Sequence, residues 1–299
     1  MTFEQLAIFV AVAEREHLTR AAAAIGLTPS AVSASIRNLE AFYGVKLFHR
    51  VGRRIELTRA GAAFLSEAQA TLARVRAAEL ALSELGGLKR GTLDLYASQT
   101  IASYWLPSRL MHFHEAHPGI DLRLRVGNTR MVVEAVREGL AEVGFIEGAI
   151  DEPALATEAV ARDQMVVVVA PGHPLAARRR LKAADLLAAT QWVMREPGSG
   201  TRSEFEAALV KLGADPEALR VALVLPSNEA VLSAVRASVS AAAAVSSVAA
   251  APFVAGGDLK VVDFALPSRP FMLLRHRERH RSQAAKAIEA ICFGRIPQS

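Results

Sequence analysis

The chain has one cysteine, Cys292, in 299 residues. An internal disulfide is therefore excluded, and this cysteine usage fits a reducing compartment. Cys292 itself reads as a small buried hydrophobe. Aromatic residues are scarce at 6 %. No aspartate occurs before Asp94. The opening MTFEQLAIFV lacks the basic start and following apolar run of a signal peptide. No apolar run reaches the length of a membrane span, since serines and Pro252 interrupt the alanine-rich 239–255 stretch. A cytoplasmic protein with no membrane partner is expected.

Catalytic constellations are missing too. The segment GSGTRS, 198–203, lacks the lysine and the spacing of a P-loop. His114 and His117 are three residues apart, with His112 nearby, but no third metal ligand accompanies them. Ser98 and Ser199 have no general base at a recognisable spacing. The run RHRERHR, Arg275 to Arg281, reads as a solvated strand-to-helix turn. An enzyme, a metal site and a cofactor are therefore not expected.

What is present is a sizeable core and an uneven charge. Hydrophobic residues make up 52 % and charged residues 22 %, and the length accommodates two or three domains. The net charge is +5 and the isoelectric point about 9.7. Five cations fall between Lys46 and Arg59, opposed only by Glu56. Such a balance permits nucleic-acid binding without requiring it.

The most informative stretch is 17–58. Ala21 to Ala24 are small enough to let helices pack closely, and Gly26 supplies the positive φ of a tight turn. Thr28 is a good N-cap and Pro29 is preorganised for the first helical position. Val32, Ile36, Leu39 and Tyr43 then share one helical face. The opposite face carries Ser30, Ser33, Ala34, Arg37 and Asn38, short groups that let a helix enter a major groove. Phe48 to Leu57 reads as two short strands around Gly52, with Arg50, Arg53 and Arg54 at the tip, suited to phosphates or a narrow minor groove. This is a winged helix-turn-helix. The candidate DNA contacts are Thr28, Pro29, Ser30, Ser33, Ala34, Arg37, Arg50, Arg53 and Arg54. The plain alternative is a structural three-helix unit with a solvated hairpin.

This segment resembles the N-terminal signature of LysR-type transcriptional regulators. The marks are Phe9, Ala21-Ala22, Ala31-Val32-Ser33, Ile36, Leu39-Glu40, Gly44, Leu47-Phe48, Arg50, Leu57-Thr58 and Gly61. There are departures. Pro29-Ser30 stands where the family commonly has Gln-Pro, and Ser35 stands where it often has Gln, so the operator sequence does not carry over.

Thr58 caps a long helix running to about Leu85. Leu65, Ala68, Leu72, Val75 and Leu82 form a seam in alternating steps of three and four, with Glu79 the one charge on it. No other helix in the chain matches it, so a second copy is the expected partner. The family resemblance implies the same dimerising role. Gly86-Gly87 then reads as a hinge.

From Gly91 strands and helices alternate, which predicts an α/β domain with a parallel sheet. Strands are expected near Leu93–Ala97, Ile120–Val126, Val143–Ile146, Met165–Ala170, Gln191–Arg195, Val221–Leu225, Ala241–Val245, Leu259–Phe264 and Phe271–Leu274. Helices are expected over Ile101–His117, Met131–Gly139, Leu181–Ala188, Arg202–Leu212, Asn228–Ala237 and Arg281–Phe293. The resemblance implies two lobes like those of periplasmic solute-binding proteins, with the chain returning to the first lobe at its end. The expected organisation is a DNA-binding domain over 1–58, a linker helix and hinge over 59–88, and an effector domain over 89–299. Lobe I would take about 89–161 and 266–299, and lobe II about 162–265.

Ligands of open α/β sheets bind beyond strand C-termini, at helix N-termini. Polar residues gather at such places: Ser98, Gln99 and Thr100; Asn128 and Thr129; Arg195, Ser199, Gly200, Thr201 and Arg202; and Asn228. Exposed amides and hydroxyls there select a small anion. Taken singly, each group is an ordinary cap, and Arg195 could equally pair with Glu196. The segments ASQTIASYWLP, VGNT, IEG and REPGSGTR are similar to the branch of the family containing sulfite-, cysteine- and carbon-fixation regulators, which adds Glu147 to the effector-facing set. Ala237-Ser238-Val239-Ser240 departs from the Gly-x-Gly turn usual in relatives.

The expected function is a transcriptional regulator whose promoter binding responds to a small anionic effector. Its expected partners are double-stranded DNA and a second or further copies of the chain, with RNA polymerase a further candidate. The alternative is a cytosolic solute sensor whose helix-turn-helix serves protein contacts.

Overall fold

The computed structural model describes residues 1–51, 54–86 and 90–294, apart from the side chains of residues 188 and 189. Gly52, Arg53 and Gly87 lie outside the described residues.

The head begins with α1, Phe3–Arg15, α2, Leu18–Ala24, and α3, Pro29–Tyr43. Thr2 and Gln5 bond each other's backbone amides at the start of α1, at 2.9 and 3.2 Å. Thr28 accepts from the Ala31 amide at 3.2 Å, Pro29 opens α3, and Gly44 closes it at φ +64°. The core beneath is Phe9, Val12, Ala21, Ala22, Val32 and Leu39, all buried. Tyr43, expected on the same face as Val32 and Leu39, is 52 % exposed, and Phe3 is 59 % exposed. Each sits in the end turn of its helix, beyond the reach of that core.

The wing is the antiparallel pair β1, Phe48–Val51, and β2, Arg54–Leu57. The linker helix α4, Arg59–Leu85, starts at a Thr58 cap on the Gly61 amide, 3.0 Å away. Gly61 has no substitute here, because a Cβ would stand 2.1 Å from the Leu47 carbonyl oxygen. The seam expected on α4 is divided in the single chain. Ala68 is buried in the head, with Leu65 and Leu72 packed beside it, whereas Leu82 is 72 % exposed. Leu80, off the expected seam, is buried in the effector-domain core.

The effector domain holds a nine-stranded sheet in the order β4-β3-β5-β11-β6-β9-β7-β8, with β10 added to β6. One end is β3, Gly91–Ser98, β4, Ile120–Gly127, and β5, Val143–Glu147, all parallel. The other end is β7, Gln191–Arg195, β8, Val221–Leu225, and β9, Ala241–Ser246, also parallel. Between them run the antiparallel strands β6, Leu155–Val169, and β11, Ser268–His276. β6 pairs with β11 along its first part and with β9 along its last, so this one strand belongs to both halves. β11 pairs with β5, which brings the chain end back to the first half.

The flanking helices are α5, Gln99–Tyr104, α6, Pro107–Ala116, α7, Thr129–Glu138, α8, Ala183–Ala189, α9, Gly200–Lys211, α10, Asn228–Arg236, α11, Ser247–Ala255, and α12, Gln283–Cys292. Several expectations need correction. The helix expected over Ile101–His117 is two helices, because Pro107 cannot donate its amide and opens a new one. The strand expected at Met165–Ala170 is the end of the much longer β6. The strand expected over Leu259–Phe264 shrinks to β10, Lys260–Val261. α11 was not anticipated, and it accommodates Pro252 in its interior. Val126, near the end of edge strand β4, is 50 % exposed.

Candidate functional site

The head leaves most of its described candidate contacts open to solvent. Thr28, Pro29 and Ser30 are exposed at the start of α3, and Ser33 and Ala34 are half-buried along it. Ser30 bonds Thr28 at 3.0 Å, and Arg37 donates to Ser33 at 2.7 Å. These exposed bonds lie along the first turns of α3 and exchange readily for bonds to a base edge. Arg50 and Arg54 are exposed on the wing. No ion pair engages Arg37, Arg50 or Arg54 among the described residues. Arg53 lies outside the described residues.

One acid fixes the wing to α3. Glu40 is buried, 7 % exposed, and its carboxylate accepts from the amides of Leu47 and Phe48 at 2.9 and 3.1 Å and from Lys46 Nζ at 2.8 Å. Burial pushes this carboxyl up, but Lys46 and the two amides outweigh that and hold it below the ordinary carboxylate value. The Leu39-Glu40 pair was noted in the sequence only as a family mark. Its physical role depends on a contact seven and eight residues away.

The effector-domain candidates come together where the two halves of the sheet face each other. Gln99 Oε1 accepts from Arg195 Nη1 at 3.2 Å and from the Asn228 amide at 3.1 Å. Asn228 Nδ2 donates to Thr100 Oγ1 at 3.0 Å, and Arg195 Nη1 donates to Asn228 Oδ1 at 3.0 Å. Gln99 Nε2 and the Tyr104 hydroxyl both donate to Glu229, at 2.6 and 2.9 Å. Burial and then the Glu229 carboxylate push the Tyr104 phenol up to about 12. Arg195 holds Glu196 with two bonds, at 2.8 and 3.0 Å, so its charge is paired within the chain. Arg202 pairs with Glu206 at 2.7 Å and donates to the Arg195 carbonyl at 3.3 Å. It braces Arg195 from behind.

A second contact joins the halves at Gly200. A Cβ there would stand 2.5 Å from Thr129 Oγ1 and 2.8 Å from the Glu147 carbonyl oxygen. Only glycine allows this approach. Thr129 Oγ1 donates to the buried Glu147 at 3.4 Å, and Asn128 caps α7 by accepting from the Met131 amide at 3.1 Å.

Two buried serines at helix starts stand apart. Ser98 and Ser199 are the N-caps of α5 and α9, yet neither side chain bonds the helix it opens. The Ser98 hydroxyl is buried with no partner. The first-turn amides of α9, which begin at Gly200, are thus free of a side-chain cap.

The sequence reading missed the pair that ties the crossing strands together. Arg269 on β11 and Asp163 on β6 are 1 % and 4 % exposed. Arg269 Nε donates to Asp163 Oδ2 at 2.8 Å, Ser246 donates to Oδ1 at 2.7 Å, and Arg269 Nη1 donates to Thr201 Oγ1 at 3.0 Å. No local signal marked it, because Asp163 is flanked by Arg162 and Gln164, and Arg269 by Ser268 and Pro270. Among the described residues no group of His, Cys, Asp or Glu is placed to hold a metal ion. No described helix is long and apolar enough to cross a membrane. Cys292 is buried, and burial pushes its thiol up to about 12.

A winged head joined by a long helix to a two-ended α/β domain defines a ligand-responsive, DNA-binding regulator. Family comparison agrees. Residues 3–62 match the bacterial regulatory helix-turn-helix protein, lysR family, and residues 86–294 match the LysR substrate binding domain. The chain is 32 % identical over 294 residues to the uncharacterized HTH-type transcriptional regulator YeiE of Escherichia coli (strain K12), covering 98 % of this chain and 97 % of that one. It is 36 % identical over 233 residues to the HTH-type transcriptional regulator CbbR of Rhodospirillum rubrum, covering 78 % and 76 %. The crystal structure of full-length CbnR complexed with its target DNA shares the fold, with TM-score 0.68 at 23 % identity over 99 % of both chains. The regulatory domain of Synechocystis PCC6803 CcmR in complex with 2-PG matches with TM-score 0.61 at 22 % identity, over 69 % of this chain and 98 % of that one.

The chain belongs to the LysR family of transcriptional regulators. It is a DNA-binding regulator with an effector-binding domain, and not an enzyme. The reading of the helix-turn-helix as a module for protein contacts alone is thereby set aside.

Proposed function

We propose that this regulator senses a small anion at the seam between the two halves of the effector domain, and that occupancy changes its grip on promoter DNA. The observation that carries the reading is Ser199: a buried N-cap serine that leaves the start of α9 uncapped, with the unpartnered hydroxyl of Ser98 in the facing half. An anion would accept from the α9 amides and from both hydroxyls, aided by the helix dipole. The proposed effector-facing residues are Ser98, Gln99, Thr100, Asn128, Thr129, Glu147, Ser199, Gly200, Thr201 and Asn228, with Arg195 and Arg202 as braces. The 2-PG bound to the CcmR regulatory domain supports an anionic class.

The head of residues 1–58 would read DNA with Ser30, Ser33, Ala34 and Arg37, while Arg50, Arg53 and Arg54 anchor it to phosphates. Residues 59–88 link it to the effector domain, 89–299, with lobes of 89–161 plus 266–299 and 162–265. The regulator works in the cytoplasm, where its DNA is, as a homodimer or homotetramer. Leu82, Leu85, Leu223 and Val224 supply exposed apolar surface for the contacts between copies. RNA polymerase is a further candidate partner.

The test is a gel-shift titration of the full chain on DNA upstream of its own gene, at several salt concentrations. Sulfite, sulfate, inorganic phosphate and 2-PG are added in turn. One anion should shift specific binding, and Ser199→Ala should abolish that shift while leaving binding without anion intact. Binding unmoved by every anion would refute the anionic reading.

A further inference from the structure

We propose that a cavity between α4 and the effector domain is a second ligand site, taking a small organic anion with an apolar body. Its volume is about 370 Å³, within the usual size of small-molecule sites. One wall is alanine from α4, including Ala77 and Ala81, and the facing wall carries His276, Arg279 and His280, with Arg74 completing the rim from α4. An apolar wall facing a cationic one matches a ligand with an apolar body and a carboxylate or phosphate head.

Two of the cations there, Arg74 and Arg279, lack an acid partner among the described residues. Arg279 donates to the carbonyls of Val136 and Arg137 at 2.7 and 2.6 Å, acceptors that carry no charge. Arg74 has no hydrogen bond or ion pair among the described residues. The acids nearby are committed elsewhere. Asp94 holds Arg76 at 2.9 Å, Glu289 holds Arg281, and Glu142 accepts from the amide and hydroxyl of Ser282 at 2.6 and 3.0 Å. Burial and then Arg74 hold the Arg279 guanidinium below its usual value. For His276, burial and then Arg279 act downward in the same way, with Arg74 adding to them against Glu278. Arg275 also faces the cavity; its Nη2 pairs with Glu158 at 3.0 Å, while its Nε is buried without a partner. An anion would relieve this crowding of like charge.

A second copy of the chain fits less well. Leu82 and Leu85, the large exposed apolar residues of α4, do not line the cavity. The site is placed to matter for DNA binding. α4 carries the head, and its Glu84 accepts from the amides of Gln283 and Ala284 at 2.9 and 3.0 Å, which docks it on α12. A ligand touching both walls would bias the angle of the head.

The experiment is isothermal titration of the full chain with phenyl phosphate and hexanoate, with inorganic phosphate as a head-group control. Arg74→Glu removes an exposed cation without breaking a bond, and Ser199→Ala disables the seam. At least one amphipathic probe should bind saturably, more tightly than inorganic phosphate. That binding should persist in Ser199→Ala and weaken roughly tenfold or more in Arg74→Glu. Three results would overturn the proposal. One is no saturable binding of either probe. Another is binding lost in Ser199→Ala but kept in Arg74→Glu, which assigns the ligand to the seam. The third is a change in oligomer mass on sedimentation of Arg74→Glu with probe binding unchanged, which makes a second copy the occupant. Because the seam is read through Ser199 alone, failure there and failure here are separable.

Discussion

Three threonines of the head and two serines of the seam open helices in different ways. In the head, Thr2, Thr28 and Thr58 each bond the helix they begin. At the seam, Ser98 and Ser199 do not. Charge follows the same division. The head's Arg37, Arg50 and Arg54 face solvent with no acid partner, whereas Arg195 and Arg269 are buried and matched to Glu196 and Asp163. The head thus has side-chain caps on α1, α3 and α4, though not on α2, and its cations await phosphates. The seam differs at two places: its side chains are paired and Asn128 and Ser227 cap α7 and α10, yet α5 and α9 start without a side-chain cap. A rigid reader suits a rigid target such as DNA, while the seam keeps its amides for a ligand that comes and goes.

The largest expected effect breaks the seam's frame. Asp163→Asn leaves Arg269 buried and uncompensated, which should cost about 3–5 kcal/mol in denaturant unfolding. A loss below about 1 kcal/mol would mean that the crossing strands are held elsewhere. Next is the head's open charge. Arg50→Ala with Arg54→Ala should lower the slope of log affinity against log salt by about 2, uniformly across DNA sequences. An unchanged slope would remove the wing from the phosphate contacts.

A smaller effect concerns Glu40, the one buried, bonded acid of the head. Glu40→Ala should cost about 1–3 kcal/mol. Its carboxyl is held below its ordinary value in the fold, so its contribution is full above that ordinary value. The contribution is lost as pH falls through the lowered one. The wild type should therefore lose part of its advantage over the variant in acid, and a pH-independent difference would deny the shift. Of similar size is Gly200→Ala, about 1–3 kcal/mol, since Thr129 Oγ1 can rotate but the Glu147 carbonyl cannot. Its effect on the anion response of DNA binding should exceed its effect on melting temperature.

Local chemistry made much of this legible in the sequence. Thr28-Pro29 marks the start of α3, as expected, and Gly44, noted only as a family mark, closes it. The alternation in Leu93, Leu95 and Ala97 gives β3 its buried face. Polar residues after strands located the groups that meet at the seam. What failed to show is non-local. Asp163 and Arg269 are 106 residues apart, and nothing in either neighbourhood announces the other. Glu40 looks like a solvated helix charge until the wing folds onto it. Pro107 was visible, but the apolar spacing around it continued through, and one long helix was read where two stand.

The central claim is that the seam and the head share one free energy. The most direct test measures the coupling from both sides, on full-length protein. The promoter's dissociation constant is determined with and without the anion that shifts it, and the anion's constant with and without promoter. Linkage requires the two factors to agree, and they should fall at about 5- to 150-fold. An anion constant that stays the same when promoter is bound would contradict the account.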